Sequence, residues 1–167
     1  MHSIFNFRII IVSSIAHNYK YDTNCGIRFD DFNYEKDFSY MEAYGHSKLA
    51  NILHAKELAK RLENTCISVY SLHPGYILTD LMRDIEKNRL TKLSAIIVKS
   101  LIKFCFKTPF HGAQTTLYCC LENKIEHESG FYYSDCARVN PTVAAQNEEA
   151  AKQLWELSEK LVGLKPN

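Results

Sequence analysis

Glycine is scarce in this chain and never clustered. The six residues Gly26, Gly45, Gly75, Gly112, Gly130 and Gly163 form no Gly-x-Gly or Gly-x-x-x-Gly-x-Gly arrangement, so the turn in which backbone amides close on a pyrophosphate is missing. Cysteine pairing is missing as well. Cys25, Cys66, Cys105, Cys119, Cys120 and Cys136 show no Cys-x-x-Cys spacing, and the adjacent Cys119 and Cys120 are poor partners for each other. Scattered thiols of this kind fit a reducing compartment. No apolar stretch approaches bilayer-spanning length. The short apolar segment near the start, Ile4-Phe5 and Ile9 to Val12, is interrupted by Asn6 and Arg8 and followed by no clear small-residue cleavage site. It reads as a strand and not as a secretion signal. A formal net charge of +1, with no long basic run interleaved with aromatics, argues against a nucleic-acid partner. The histidines are dispersed, none at ligand spacing to a Cys or Asp, so no metal centre is expected. The absence of a Gly-x-Ser-x-Gly elbow argues against a serine hydrolase.

What is present is the composition of an ordinary folded domain: 46% hydrophobic and 23% charged residues over 167 positions, which implies one domain. Ile9-Ile10-Ile11-Val12 is a β-branched run ending in Ser13-Ser14, the pattern of a parallel strand buried on both faces. The stretch from His17 to Phe38 is polar, aromatic-rich and irregular. From about Tyr40 to Asn64, Leu49, Ile52, Leu53, Leu58 and Leu62 recur at helical spacing, with Lys56, Glu57, Lys60 and Arg61 left for water. A second strand, Ile67 to Leu72, closes in His73-Pro74-Gly75. Strand, helix, strand implies a right-handed crossover in a parallel sheet. Residues 81–107 form a basic amphipathic segment suited to cover a pocket or lie on lipid. Thr108-Pro109 starts a helix running to about Leu121, Gly130 to Ser134 reads as a last strand, and Asn147 to Leu161 as a final helix.

Tyr44 and Lys48 stand four residues apart on the best helix, so both lie on one face about a turn apart. A free tyrosine has a pKa of ~10, and a neighbouring ammonium favours the phenolate, bringing the phenol towards a range useful for proton exchange with an alcohol or carbonyl oxygen. The spacing alone carries little, because both residue types are common in helices. Context adds weight. Ser13-Ser14 ends one strand and Pro74-Gly75 follows the next, at the carboxyl edge where open α/β sheets build ligand sites. Thr79-Asp80 reads equally as a turn near that edge or as a helix cap.

From Arg8 onward this wording resembles the short-chain dehydrogenase/reductase family, whose pattern is a strand ending in Ser-Ser, a Tyr-x-x-x-Lys helix and a strand ending in Pro-Gly. The runs Ser47-Lys48-Leu49-Ala50-Asn51-Ile52-Leu53, Ser71-Leu72-His73-Pro74-Gly75, Lys107-Thr108-Pro109, Gly112-Ala113-Gln114-Thr115 and Ser134-Asp135-Cys136 are similar to its retinol-dehydrogenase branch. The resemblance implies an α/β fold: the carboxy-terminal half of a Rossmann-like doubly wound parallel sheet. One truncated domain would then cover residues 1–167, without its nucleotide-binding βαβ part, and residues 81–107 would be a substrate lid. It implies that Tyr44 exchanges a proton with the substrate oxygen and that Ser14, the second serine of the pair, hydrogen-bonds the same oxygen. Lys48 would assist Tyr44 and hold the nicotinamide ribose, while His73, Pro74, Gly75 and Thr79 would meet the nicotinamide end of the cofactor. His46 and Ser47 would be filler positions. The implied cofactor is NADP(H) in preference to NAD(H), with the hydride belonging to the cofactor. The implied partners are a small lipophilic alcohol or carbonyl such as a retinoid or lipid aldehyde, a membrane surface, and a second subunit in a homo- or hetero-dimer. The implied location is the cytoplasm or the cytoplasmic face of the endoplasmic reticulum. The competing expectation is an inactive truncated product that binds a partner through its helices.

Overall fold

The computed structural model describes residues 6–18, 26–77 and 106–164. Strand β1, Phe7–Val12, runs parallel to β2, Ile67–His73, in the register Ile9 to Val69 and Val12 to Leu72. β2 is also parallel to β3, Phe131–Ser134, and β4, Ala137–Val139, turns back antiparallel to β3, giving the order β1-β2-β3-β4. The apolar run in β2 is central: Val69 to Leu72 are completely buried. β1, equally apolar in sequence, lies at the sheet edge, with Phe7 and Val12 exposed, because it pairs with β2 alone among the described residues. The sequence reading missed β4. Its three residues are all exposed, and its turn holds Asp135 and Cys136 at φ of 52° and 58° where glycine or asparagine is usual.

Helix α1, Tyr40–Arg61, is the crossover between β1 and β2. Its buried stripe of Leu49, Ile52 and Leu53 packs with Tyr132 of β3 and with Ala150, Ala151 and Leu154 of the last helix, α3, Glu148–Leu161. The Asn147 side chain caps α3, accepting from the Ala150 amide at 3.0 Å. Helix α2, Pro109–Leu121, starts where Thr108-Pro109 predicts, with Thr108 Oγ1 accepting from the His111 amide at 3.3 Å. It brings Cys119 against Tyr70, Leu72 and Tyr133. Neighbours alternate along the strands, Tyr132 into one cluster and Tyr133 into the other, so helices cover both faces of the sheet. No helix among the described residues is long and apolar enough to cross a membrane.

Except for Phe106 and Lys107, the segment expected as a lid lies outside the described residues. Its flanks meet: Ile77 and Lys107 form a parallel bridge, and the Lys107 amide donates to the Tyr76 carbonyl at 2.7 Å.

Candidate active site

A crossover helix runs antiparallel to the strands it joins, so the first turns of α1 stand at the carboxyl ends of β1 and β2. Two hydrogen bonds fix how far along α1 is set. The Ser13 hydroxyl donates to the Lys48 carbonyl at 2.6 Å, and the Asn51 side-chain amide donates to the Val12 carbonyl at 3.0 Å. Because residues 48–51 are held at the strand end, Tyr44, one turn nearer the helix start, stands beyond it. The Lys48 ammonium lies 5.4 Å from the centre of the Tyr44 ring, a cation–π pair at the spacing the helix dictates. Tyr44 is 38% exposed, so it can meet a ligand.

The two serines behave differently. Ser13 is buried, its amide donates to the Leu72 carbonyl at 2.7 Å, and its hydroxyl is committed to α1. Ser14 is half-buried, and its hydroxyl accepts the Ala16 amide at 3.2 Å. Among the described residues no hydrogen bond takes the Ser14 hydroxyl proton, which leaves that side chain able to donate. The Ser14 carbonyl accepts from the main-chain amide of His17 at 3.1 Å and lies 2.7 Å from His17 Nδ1.

At the end of β2, His73 is buried and its Nδ1 has no hydrogen-bond partner among the described residues. Burial holds this imidazole below its ordinary range. Asp135 opposes that shift, while Lys107 and His17 add to it. Gly75 follows at φ +96°, a backbone conformation that favours glycine. A Cβ there would meet Lys107 Cδ at 2.7 Å, so the lysine stem lies flat over the turn while its ammonium pairs with Asp135. That contact, first among several influences, holds the Asp135 carboxyl below its usual range. Thr79 lies outside the described residues, as does Asp80.

His46 does more than fill a helix position. It is buried, its Nδ1 bonds the Tyr34 hydroxyl, and burial with the nearby Arg28 lowers its pKa to about 4. With the Arg28–Glu42 ion pair at 2.9 Å it ties residues 26–38 to α1. Between that segment and α1 lies a pocket of about 320 Å³, lined by Ile27, Arg28, Phe32, Tyr34, Ala43, His46, Ser47, Ala50 and Asn51. A larger cleft of about 1060 Å³ opens at the amino ends of the strands, beside Asn6, Cys66 and Gly130, away from Tyr44 and Ser14.

Asn51, His17 and the Lys107–Asp135 pair carried no role in the sequence reading. Asn51, Lys107 and Asp135 stood within matching runs of residues, but the pairing of Lys107 with Asp135 and of His17 with Thr142 joins positions far apart along the chain, which no local signal reveals.

The chain is 39% identical over 157 residues to Retinol dehydrogenase 12 of Mus musculus, covering 94% of this chain and 46% of that protein. To Retinol dehydrogenase 14 of Homo sapiens it is 42% identical over 157 residues, covering 94% and 44%. Short-chain dehydrogenase TIC 32 A, chloroplastic, of Brassica napus is 38% identical over 157 residues, covering 93% and 47%. The chain thus spans somewhat less than half the length of these curated relatives. The crystal structure of an uncharacterized protein from Mycobacterium Paratuberculosis superposes with a TM-score of 0.64 at 26% identity, covering 93% of this chain and 50% of that one. No family model matches.

Proposed function

The chain belongs to the short-chain dehydrogenase/reductase family, on its retinol-dehydrogenase-like branch, and from that premise we propose that it carries the proton-transfer half of a nicotinamide-dependent alcohol/carbonyl oxidoreductase. The observation that carries the reading is the Tyr44–Lys48 pair, held at the end of β1 by the Ser13 and Asn51 hydrogen bonds. In the direction of reduction, Tyr44 gives its phenolic proton to the carbonyl oxygen. The Ser14 hydroxyl donates a hydrogen bond to that oxygen, and the Lys48 ammonium offsets the charge left on the phenolate. In the direction of oxidation the same groups act in reverse.

A bound nicotinamide dinucleotide supplies or takes the hydride. The residues present fit its nicotinamide end: Lys48 would hold the ribose hydroxyls and the turn of His73, Pro74 and Gly75 would border the ring, with Thr79, outside the described residues, proposed alongside them. The Nδ1 of His73, buried at that turn and without a partner among the described residues, supports a polar ligand there. NADP(H) is proposed ahead of NAD(H). Ile27, Phe32, Ala43 and Ala50 in the pocket beside α1 support a lipophilic substrate of the retinoid or lipid-aldehyde class, with polar groups such as Tyr34 and Ser47 at hand for its oxygen. Work on such a substrate suits the cytoplasm or the cytoplasmic face of the endoplasmic reticulum membrane, with surface contact to lipid and pairing with a second subunit.

The test is cofactor oxidation by the purified chain with all-trans-retinal and NADPH, then NADH. Expected is turnover that Tyr44→Phe lowers by about 10²–10⁴-fold, the usual contribution of a general acid. Turnover equal in Tyr44→Phe and the unaltered chain would overturn the assignment.

A further inference from the structure

His17 is among the most deeply buried polar side chains in the molecule, at 1% exposure, and the chemistry proposed above leaves it without a role. Its surroundings are specific. Nδ1 lies 2.7 Å from the Ser14 carbonyl, and the Thr142 amide donates to Nε2 at 3.4 Å. The ring meets Tyr132 edge-on, with centres 4.9 Å apart. A carbonyl only accepts and an amide N–H only donates, so the two contacts together assign the neutral ring with its proton on Nδ1. Burial favours the same neutral form by holding the imidazole below its ordinary range, against the opposing pull of the Ser14 carbonyl.

Residue 17 therefore grips Ser14 through two donors, its main-chain amide and its ring, on the one carbonyl. With that carbonyl fixed and the Ala16 amide on the hydroxyl, the whole Ser14 residue is oriented from behind. The far side of the ring reaches Thr142, 125 residues along the chain and just before the turn that leads into α3.

We propose that His17 is a positioning residue for Ser14, acting as a Nδ1-protonated imidazole that anchors the Ser13-Ser14 strand end to the loop at Thr142. The inference rests on the reading of Ser14 as a donor to the substrate oxygen. Its closing experiment separates the two.

The experiment uses the full chain labelled with nitrogen-15, alongside His17→Asn and His17→Gln. Asparagine can place an amide donor near the position of Nδ1, and glutamine can place an acceptor near that of Nε2, while both lose the ring packing against Tyr132. In the unaltered chain, the imidazole nitrogen spectrum is expected to show His17 with Nδ1 protonated and Nε2 bare. The main-chain amide of residue 17 is expected to exchange with solvent at the native rate in His17→Asn and at least about tenfold faster in His17→Gln, as loss of one hydrogen bond implies. A His17 ring protonated on Nε2, or equal acceleration in the two variants, would overturn the proposal and leave His17 a packing residue. Ser14→Ala supplies the separate arm. It keeps the carbonyl and is expected to keep the native exchange at residue 17 while abolishing turnover of retinal. If turnover survives Ser14→Ala with that exchange pattern intact, the reading of Ser14 fails and the His17 anchor stands.

Discussion

Between Tyr44 and Asn51, helix α1 buries Leu49 in the core, and its other contacts are largely polar. Ser13 and Asn51 bond across to it and from it, His46 is buried against Tyr34, and Tyr44 and Lys48 pair on the surface. From Ile52 to Arg61 the same helix is held by packing. Ile52, Leu53 and Ala55 are buried, His54 stacks on Trp155 with centres 5.2 Å apart, and Arg61 lies 4.4 Å over the Trp155 ring. Apolar burial against α3 is non-directional and strong, whereas the strand-end hydrogen bonds are directional and modest. Leu49 and the second half of α1 thus supply stability, and the polar groups of the first half are held in place by it.

The largest expected effect strikes the packed half. Leu53→Ala empties a fully buried site between α1 and α3, and a loss of about 2–5 kcal/mol in denaturant unfolding is expected. Tyr44→Phe removes only a partly exposed hydroxyl and should stay within about 0.5 kcal/mol of the parent. Equal losses would break the contrast between the halves.

Acid comes next. Burial lowers the pKa of His17, His46, His54 and His73, that of His46 to about 4. The unfolded chain therefore binds more protons than the folded one below the ordinary value of 6.5. The stabilisation from these neutral rings is complete above pH 6.5 and is lost progressively as pH falls towards about 4, where His46 itself takes a proton. Thermal unfolding across that range should show a falling midpoint. A midpoint unchanged between pH 7 and pH 5 would contradict the burial of these rings.

Smaller still is the difference between the two serines. Ser13→Ala leaves the Lys48 carbonyl without its extra donor and should cost about 1 kcal/mol, whereas Ser14→Ala should cost less and act on turnover. The smallest effect belongs to the exposed pairs of Lys56 and Lys60 with Glu148, at 3.8 and 3.7 Å. Glu148→Gln should change stability by under about 1 kcal/mol, and less in high salt.

How much of this was legible in the sequence follows from which forces are local. The run from Ile67 to Leu72 announces a buried strand because Ile67, Val69, Tyr70 and Leu72 suit that environment, and Thr108-Pro109 marks the start of α2 because cap chemistry resides in those two residues. β4 is silent, since its exposed residues carry no apolar pattern. Ser13 and Ser14 are indistinguishable as letters. Resemblance alone favours the second, and only the docking of α1 separates a committed hydroxyl from an available one. The grip of His17 on Thr142 and of Lys107 on Asp135 joins residues that the chain keeps apart, so no local pattern encodes them. Spacing did encode the Tyr44–Lys48 contact, because four residues on a helix fix it.

The most direct test of the proposed site is titration of the purified chain with NADPH and NADH, following nicotinamide fluorescence, with Lys48→Ala and Tyr44→Phe in parallel. Expected is saturable binding, weakened at least about tenfold by Lys48→Ala, the loss of one charge-assisted hydrogen bond, and little changed by Tyr44→Phe. Binding unaffected by Lys48→Ala, or no binding up to about millimolar cofactor, would contradict a nicotinamide site at the end of β1.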